Sequence, residues 1–192
     1  MQVMKYDLKA FAADMDEIVQ QYAGDNRRIV NETKPLYGRL ISNLDWLDAK
    51  YRRPVENRSV SYLIHAHPDN LYTITSVVWW PGYSTPIHDH MVWGLVGMCE
   101  GEETEERYKR TDDGSRPNYC ELRHVGTVVN APGEICHLVP PDEDIHLIRN
   151  TGSTPSLSLH MYGGSLDGKL RHQFDKDTGE IKEFRSKYVV LC

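Results

Sequence analysis

The sequence lacks the features that anchor a protein to a membrane or to nucleic acid. Its 192 residues contain no uninterrupted apolar run of roughly 20 residues, the length that a membrane-spanning helix needs. With 22 basic and 28 acidic side chains, the formal net charge is −6. A net negative chain binds nucleic acid and anionic membrane surfaces poorly, so we expect neither as a partner. The first residues also lack the apolar core of a secretory signal peptide, which favours a cytoplasmic protein.

Cysteine is scarce, whereas histidine is abundant. The four cysteines (Cys99, Cys120, Cys136 and Cys192) include no C-x-x-C pair. Zinc-knuckle spacing is therefore absent, and we expect free thiols in a reducing compartment. Histidine occurs nine times, and it is the commonest metal ligand in proteins.

Apolar periodicity divides the chain into a helical and a β-rich part. Residues 7–22 carry apolar side chains three and four positions apart, which predicts a helix. We expect a second helix to begin near Thr33, with Thr33 as its cap and Pro35 in its first turn, and residues 23–28 to start the connecting loop. From residue 58 onward, short β-rich runs alternate with turn residues, as in an antiparallel sandwich or barrel.

The predicted strands share a richness in β-branched and aromatic residues. They are Val60–Ile64, Leu71–Trp80, Val92–Met98, Glu105–Lys109, Tyr119–Val125, Thr127–Val129, Asp144–Arg149 and Ser156–Tyr162. We expect the acidic run Glu100–Glu106 to be a solvent-exposed strand and turn. The pattern predicts one all-β domain over residues 1–192, with a helical part at 1–57 and a β-barrel at 58–192.

The motif His88-Asp89-His90 is a candidate metal site. Alternate residues of a strand share a face, so both imidazoles can point to one spot inside a barrel while Asp89 points away. An H-x-H motif also occurs on surface strands, and its context therefore matters. The context resembles the two-part signature of the cupin superfamily in Gly82, Gly94, Gly101, Gly126, Pro132-Gly133, His146 and Asn150.

The cupin resemblance implies a jelly-roll barrel in which the H-x-H pair and one distant histidine bind a metal ion. We favour His146 as the distant ligand because Asn150 follows it four positions later, and His137 is the alternative. Gly94 stands where the signature usually has Glu, so the ligands are three neutral imidazoles. Such a site keeps the full charge of a divalent metal and favours anionic ligands, thiolate especially. Zinc also suits three histidines.

A second group of polar residues lies near the end of the β-rich part. Ser158, His160 and Tyr162 alternate along one predicted strand, so their side chains face the same way. A hydroxyl held by an imidazole, itself held by a second hydroxyl, is a directed hydrogen-bond chain. The same alternation is found on strands that turn a polar face to water.

These residues together resemble the thiol dioxygenases, the family of cysteine dioxygenase and 3-mercaptopropionate dioxygenase. The resemblance includes Pro86–His90, Asp144–Asn150 and Ser158–Tyr162. It implies an enzyme with one ferrous ion, which oxidises a small thiol with O2 to its sulfinate. By this resemblance His88, His90 and His146 are the iron ligands. Tyr162 then donates a hydrogen bond to the bound oxygen or thiol, and His160 and Ser158 orient it.

Two departures from the mammalian-type members bear on the substrate. Trp93-Gly94-Leu95 stands where they carry a cysteine that crosslinks to the active-site tyrosine, so we expect no crosslink. Their early-strand arginine is missing at Ser61–Leu63, but Arg171 follows Tyr162 by nine positions, as in bacterial mercaptopropionate-type enzymes. A bidentate contact between Arg171 and a substrate carboxylate is worth about 1.5–3 kcal/mol.

No anionic partner for the ammonium group of cysteine is evident, so we favour 3-mercaptopropionate over L-cysteine as the substrate. Two other classes of function remain alternatives. A non-catalytic metal-binding cupin module needs the three histidines but not the polar strand residues. A zinc-dependent hydrolase or lyase needs the same ligands with zinc in place of iron.

Overall fold

The chain begins with two helices. In the computed structural model, which describes residues 6–191, α1 spans Leu8–Gln21 and α2 spans Asn26–Ile41. The Asp7 carboxylate caps α1 by accepting a hydrogen bond from the N–H of Ala10. The predicted apolar stripe of α1 is buried at Phe11, Met15, Ile18 and Val19. A single 3₁₀ turn follows at Ala49–Arg52. Cys192 lies outside the described residues.

The predicted start of the second helix is wrong. Asp25, not Thr33, caps α2, because its carboxylate accepts a hydrogen bond from the N–H of Arg28 at 2.9 Å. Pro35 lies inside the helix rather than in its first turn. The Thr33 hydroxyl instead donates to the sulfur of Met15 at 3.3 Å, between the two helices. Packing of α2 against α1 therefore outweighs the local preference of Thr and Pro for a helix start.

Eleven strands follow among the described residues. They are β1 (Ser59–Ala66), β2 (Thr73–Trp79), β3 (Ile87–His88), β4 (Gly94–Glu100), β5 (Glu103–Arg110), β6 (Leu122–Asn130), β7 (Ile135–Leu138), β8 (Ile145–Arg149), β9 (Ser156–Tyr162), β10 (Arg171–Phe174) and β11 (Ile181–Phe184). Every predicted run overlaps a strand, but the two runs on either side of Gly126 form the single strand β6. The predicted runs do not include β3, β7, β10 and β11, because two to four residues are too few for a period to show. The alternation expected of a strand through His88 and His90 is only partly correct, since β3 ends at His88 and His90 lies in the loop that follows.

The strands form two antiparallel sheets. One sheet has the order β1-β2-β9-β4-β7, and the other has the order β11-β10-β3-β8-β5-β6. The expected all-β class with N-terminal helices is thus confirmed. Hydrogen bonding divides the strands into two sheets rather than one closed barrel sheet. No helix within residues 6–191 has the length and apolar character needed to cross a membrane.

Strand β9 shows how the fold positions a site. All seven of its residues are buried. Leu157, Leu159 and Met161 belong to the apolar core that the helices share with the first sheet. The alternate residues Ser158, His160 and Tyr162 therefore face away from the helices, toward the second sheet. Polar side chains on this interior face need hydrogen-bond partners.

Candidate metal centre

Three histidines meet between the two sheets. His88 ends β3, His90 follows two residues later, and His146 lies on β8 directly opposite His88 in the antiparallel pairing. One ring nitrogen of each lies within 4.8 Å of those of the other two. Their exposed fractions are 9%, 2% and 2%, so the cluster is shielded from solvent. The sheet pairing brings together the histidines that the sequence analysis favours.

The hydrogen bonds of the cluster leave one nitrogen free on each ring. The Nδ1 atoms of His88 and His90 lie 3.0 and 3.1 Å from the carbonyl oxygens of Pro86 and Asp144. Nδ1 of His146 lies 2.7 Å from Oε1 of Glu105. An acceptor at Nδ1 places the ring proton there and leaves the lone pair on Nε2. All three imidazoles are thus prepared to bind a cation through Nε2.

The surroundings also keep two of these rings neutral. Burial, followed by the effect of the neighbouring His146, lowers the pKa of both His88 and His90 well below 6.5. Metal ions bind neutral imidazole, so protons compete weakly with a metal at these two residues. The donor set therefore fits a divalent metal ion.

A buried carboxylate supports His146, contrary to the expectation for the acidic run. Glu105 and Glu103 are each only 1% exposed, because they lie on the inward face of β5 while Thr104 and Glu106 lie on the outer face. Oε2 of Glu105 pairs with the guanidinium of Arg107 at 3.0 Å. Burial alone would raise the pKa of Glu105, but the combined effects of His146, Arg107 and Cys136 outweigh burial and lower the pKa to about 2. The alternation of this run is the signal that could have identified both buried acids.

The loop after β3 is fixed by its neighbours. Asp144 Oδ2 accepts hydrogen bonds from the N–H groups of His90 and Met91, at 3.3 and 3.0 Å. Met91 has a positive φ of 60°, which a non-glycine residue seldom adopts. As expected, Asp89 points away from the cluster, and its carboxylate accepts from the N–H and the ring of His172. These contacts orient His90 toward the cluster.

The alternative third ligand lies elsewhere. His137 is on β7, and its Nε2 lies 3.2 Å from the carboxylate of Glu143. It is not part of the three-histidine cluster. The sheet pairing thus favours His146 over His137.

The polar residues of β9 form a continuous hydrogen-bond chain. The Tyr162 hydroxyl lies 2.7 Å from Nδ1 of His160, and Nε2 of His160 lies 2.9 Å from Oγ of Ser158. Nε1 of Trp79 donates to the same Oγ at 3.2 Å. The Tyr162 ring stacks on that of His90, with centroids 5.4 Å apart. The chain therefore ends in a hydroxyl beside the cluster.

Burial keeps the members of this chain uncharged. It lowers the pKa of His160 to about 3 and raises that of Tyr162 above its ordinary value of 10. A neutral imidazole both donates and accepts, so it can pass a hydrogen bond from one hydroxyl to the other.

Arg171 brings an uncompensated positive charge to the same space. It lies at the start of β10 and is 6% exposed. Its guanidinium donates to the carbonyl of Asp89 at 3.1 Å and to the hydroxyl of Ser186 at 2.8 Å, and it lies over the ring of Phe184. Among the described residues Nε has no hydrogen-bond partner, and no carboxylate forms an ion pair with the group. A buried guanidinium without a counterion favours an anionic ligand.

One cavity of about 230 Å³ joins these groups. The three clustered histidines, His160, Tyr162 and Arg171 line it, together with Tyr188 and Ser186 from the C-terminal segment. None of the described lining residues is Asp or Glu.

Glycine occupies the position opposite Tyr162 on the neighbouring strand. Gly94 is its partner on β4, and a Cβ at this position would lie 2.9 Å from Cδ1 of Tyr162 and 2.9 Å from the carbonyl oxygen of Met161. Cys99 packs with the apolar core on the helix side of the sheet. That no crosslink to Tyr162 forms stays a prediction.

Comparison with profiles of known protein families finds no match. Among solved structures, the chain resembles a cupin_2 domain of an XRE-family transcriptional regulator from Enterobacter cloacae, at 15% identity and a TM-score of 0.41, over 57% of this chain and 99% of that one. It resembles oxalate oxidase in complex with glycolate at 18% identity and a TM-score of 0.44, over 57% of this chain and 53% of that one. A cupin 2 conserved barrel domain protein from Leptotrichia buccalis gives 19% identity and a TM-score of 0.42, over 60% of this chain and 46% of that one. The chain thus matches only about half of these last two proteins, and similarity at this level identifies no activity.

The fold and site together define a protein of two antiparallel sheets whose interior holds a three-histidine group suited to a metal ion.

Proposed function

We propose that the chain is a cupin-type thiol dioxygenase, which uses ferrous iron and O2 to oxidise a small thiol carboxylate to its sulfinate. One observation carries the proposal. One cavity joins three histidine donors, a tyrosine hydroxyl at the end of a hydrogen-bond chain, and an arginine without a counterion. A module that only binds metal has no need of the chain on β9.

His88, His90 and His146 would hold the metal through Nε2, since their Nδ1 atoms are engaged. Ferrous iron held by these three histidines would supply the redox chemistry that activates dioxygen toward a thiolate. The overall reaction consumes one thiol and one O2, and both oxygen atoms end on sulfur. Glu105 orients His146 and increases its basicity.

Tyr162 is the proton donor of the proposed site. Its raised pKa keeps the hydroxyl protonated at neutral pH, and its ring lies against that of His90. A phenol held there can donate a hydrogen bond to a ligand beside the histidines. His160 and Ser158 act through Tyr162, because they fix the orientation of its hydroxyl.

Arg171 is the proposed partner of the substrate carboxylate. The guanidinium keeps its charge even though burial lowers its pKa, and its unpartnered Nε adds a donor. The cavity offers no Asp or Glu to the ammonium group of cysteine, and an unpaired buried ammonium costs several kcal/mol. This favours 3-mercaptopropionate over L-cysteine.

Oxygen uptake tests the proposal. The protein is loaded anaerobically with ferrous iron and mixed with O2 and either 3-mercaptopropionate or L-cysteine, and the products are identified. We expect uptake coupled to sulfinate, faster with 3-mercaptopropionate. Faster turnover of cysteine would overturn the choice of substrate but keep the reaction.

Two results would favour the other classes of function. Iron-loaded protein that consumes no oxygen with any small thiol would point to a binding module. Stoichiometric zinc in protein purified without added metal would point to a hydrolase or lyase.

A further inference from the structure

The residues after β11 run from one sheet to the other. β11 is the edge strand of the second sheet, and β1 is the edge strand of the first. Residues 185–191, which we call the strap, leave β11 and form a parallel bridge to β1. The N–H of Val189 donates to the carbonyl of Ser61 at 2.8 Å, and the carbonyl of Val189 accepts from the N–H of Leu63 at 3.0 Å. The strap thus joins the two sheets at one side of the cavity, which Ser61 and Phe184 also line.

The loop after β9 holds the strap from a second direction. The N–H of Gly168 donates to the carbonyl of Ser186 at 2.9 Å. The hydroxyl of Tyr188 accepts from the N–H of Leu166 at 2.9 Å, and the N–H of Tyr188 donates to the carboxylate of Asp167 at 3.3 Å. This loop and β1 together keep the strap in one extended conformation.

The strap turns alternate side chains into the cavity. Ser186 and Tyr188 line it, as does Phe184 at the end of β11, whereas Arg185 and Lys187 are exposed. A period of two is the rule for an extended chain. Two hydroxyl groups therefore reach the site from a segment that belongs to neither sheet.

Ser186 fixes the guanidinium of Arg171 on one side. Its Oγ accepts from one terminal nitrogen at 2.8 Å, and the carbonyl of Asp89 accepts from the other at 3.1 Å. The guanidinium carbon lies 4.5 Å from the centre of the Phe184 ring. These contacts set the plane of the guanidinium and leave its Nε–H unpartnered.

Three hydrogen-bond donors in this part of the cavity have no acceptor within residues 6–191. One is Nε–H of Arg171. The Ser186 hydroxyl accepts from Arg171, and the Tyr188 hydroxyl accepts from Leu166, but neither hydroxyl donates to a protein group. Each has one proton to donate. An excess of donors beside a buried cation is the pattern of a site for an anion.

The Tyr188 proton is available to a ligand at neutral pH. Burial raises the pKa of Tyr188 above its ordinary value of 10, although the N–H of Leu166 opposes the rise. The hydroxyl of the neighbouring Thr73 is engaged elsewhere, because it donates to the carbonyl of Gly164 at 3.0 Å. The phenol therefore stays protonated on the wall of the cavity.

We infer that the strap completes the substrate site, in that Ser186 and Tyr188 donate their hydroxyl protons to the carboxylate that Arg171 binds. A carboxylate suits these donors because its two oxygens accept about four hydrogen bonds and carry the charge that Arg171 lacks. The inference deepens the proposed function and rests on it for the identity of the thiol. Ser186 also acts as a positioning residue, since it holds the guanidinium.

The strap then contributes to the choice of substrate. A thiol whose far end is a neutral amide offers one acceptor oxygen and no charge. A thiol whose far end is an ammonium group brings further donors and a second positive charge beside Arg171, so it is repelled. The site therefore selects small thiols that end in a carboxylate.

Equilibrium binding tests the inference without turnover. The full-length protein is loaded with Zn²⁺, and the Kd values of 3-mercaptopropionate and of its neutral analogue 3-mercaptopropionamide are measured by isothermal titration calorimetry. Both probes carry the same thiol, so the ratio of their Kd values reports the carboxylate contacts alone. We expect the native protein to bind the carboxylate at least about 10-fold more tightly than the amide.

Two substitutions remove the hydroxyls of the strap. Tyr188→Phe and Ser186→Ala should each weaken binding of 3-mercaptopropionate about 10- to 150-fold, because a hydrogen bond to a charged group is lost, and should change binding of the amide far less. Ser186→Thr keeps the hydroxyl and should restore the preference. In the iron-loaded enzyme, Tyr188→Phe should raise KM for 3-mercaptopropionate while kcat changes little.

Tyr119→Phe is the matched control. It removes the same hydroxyl from a tyrosine outside the cavity, whose partner is Glu121, and should leave both Kd values unchanged. A substitution that merely loosens the fold would weaken both probes equally, so the ratio separates a binding role from a structural one.

Equal affinity of the native protein for the two probes overturns the inference, and this measurement is decisive even if a variant does not fold. A ratio that stays at the native value in either Tyr188→Phe or Ser186→Ala also overturns it. Loss of the carboxylate preference in these variants of a protein that oxidises no thiol would support the strap's role and refute the proposed function. Oxidation of the thiol with an unchanged ratio would do the reverse, so the two failures are distinguishable.

Discussion

Replacing Glu103 by Gln should change how the stability of the fold depends on pH. Burial raises the pKa of this carboxyl from 4.5 to about 7, so between these values the folded state keeps a proton that the unfolded state releases. Its contribution to stability is fully present below pH 4.5 and is lost as pH rises through about 7. The loss is about 3 kcal/mol, since one pKa unit corresponds to about 1.4 kcal/mol.

The Gln variant carries no titratable group at this position, so its stability should not fall with pH for this reason. Relative to the native protein, its free energy of unfolding should rise by about 3 kcal/mol between pH 4.5 and pH 8, or by about 6–12 °C in Tm. Urea unfolding followed by circular dichroism at both pH values measures the difference. His88 and His90 titrate with the opposite sign, because their lowered pKa values make stability rise with pH, but they are common to both proteins and cancel.

The exposed neighbour provides the control for this experiment. Glu102→Gln removes the same charge from the surface and should show no comparable pH-dependent gain. A stability difference between Glu103→Gln and the native protein that does not vary with pH would refute a raised pKa at Glu103.

Four further substitutions test the site. Arg171→Gln should raise KM for 3-mercaptopropionate about 10- to 150-fold, since a bidentate contact of about 1.5–3 kcal/mol is lost. Lys187→Gln, which removes an exposed positive charge close to Ser186, should leave KM unchanged. Equal effects of the two substitutions would contradict the role of Arg171. Glu105→Gln should weaken metal binding about 10- to 100-fold in a chelator competition, and an unchanged Kd would refute its support of His146. Tyr162→Phe should lower kcat roughly 10²-fold while metal binding persists, and full activity would favour a non-catalytic module. Gly94→Ala should destabilise the fold by about 1–3 kcal/mol in urea unfolding, whereas Gly126→Ala, with no atom within 4 Å of its new Cβ, should not; equal effects would contradict the close contact with Tyr162.

The local pattern predicted those features that depend on neighbours along the chain. The alternation of Ser158, His160 and Tyr162 correctly placed them on one face, because a strand turns successive side chains to opposite sides. The apolar stripe of α1 was also predicted correctly, because residues three and four positions apart share one face of a helix. The same rule of alternation applies to Glu103 and Glu105, but charge favoured an exposed strand, and the sequence analysis therefore missed both buried acids.

The tertiary structure decided those features of the site and the fold that depend on residues far apart in the sequence. The antiparallel pairing of β3 with β8 placed His146 rather than His137 beside His88, and no local signal encodes that register. The start of α2 moved to Asp25 because packing against α1 outweighs the preference of Thr33 for a cap. By itself, then, the sequence determined the H-x-H pair, the polar face of β9 and the first helix. Only the packed sheets decided the third histidine and the acids behind the site, because a buried charge is tolerated only where distant residues satisfy it.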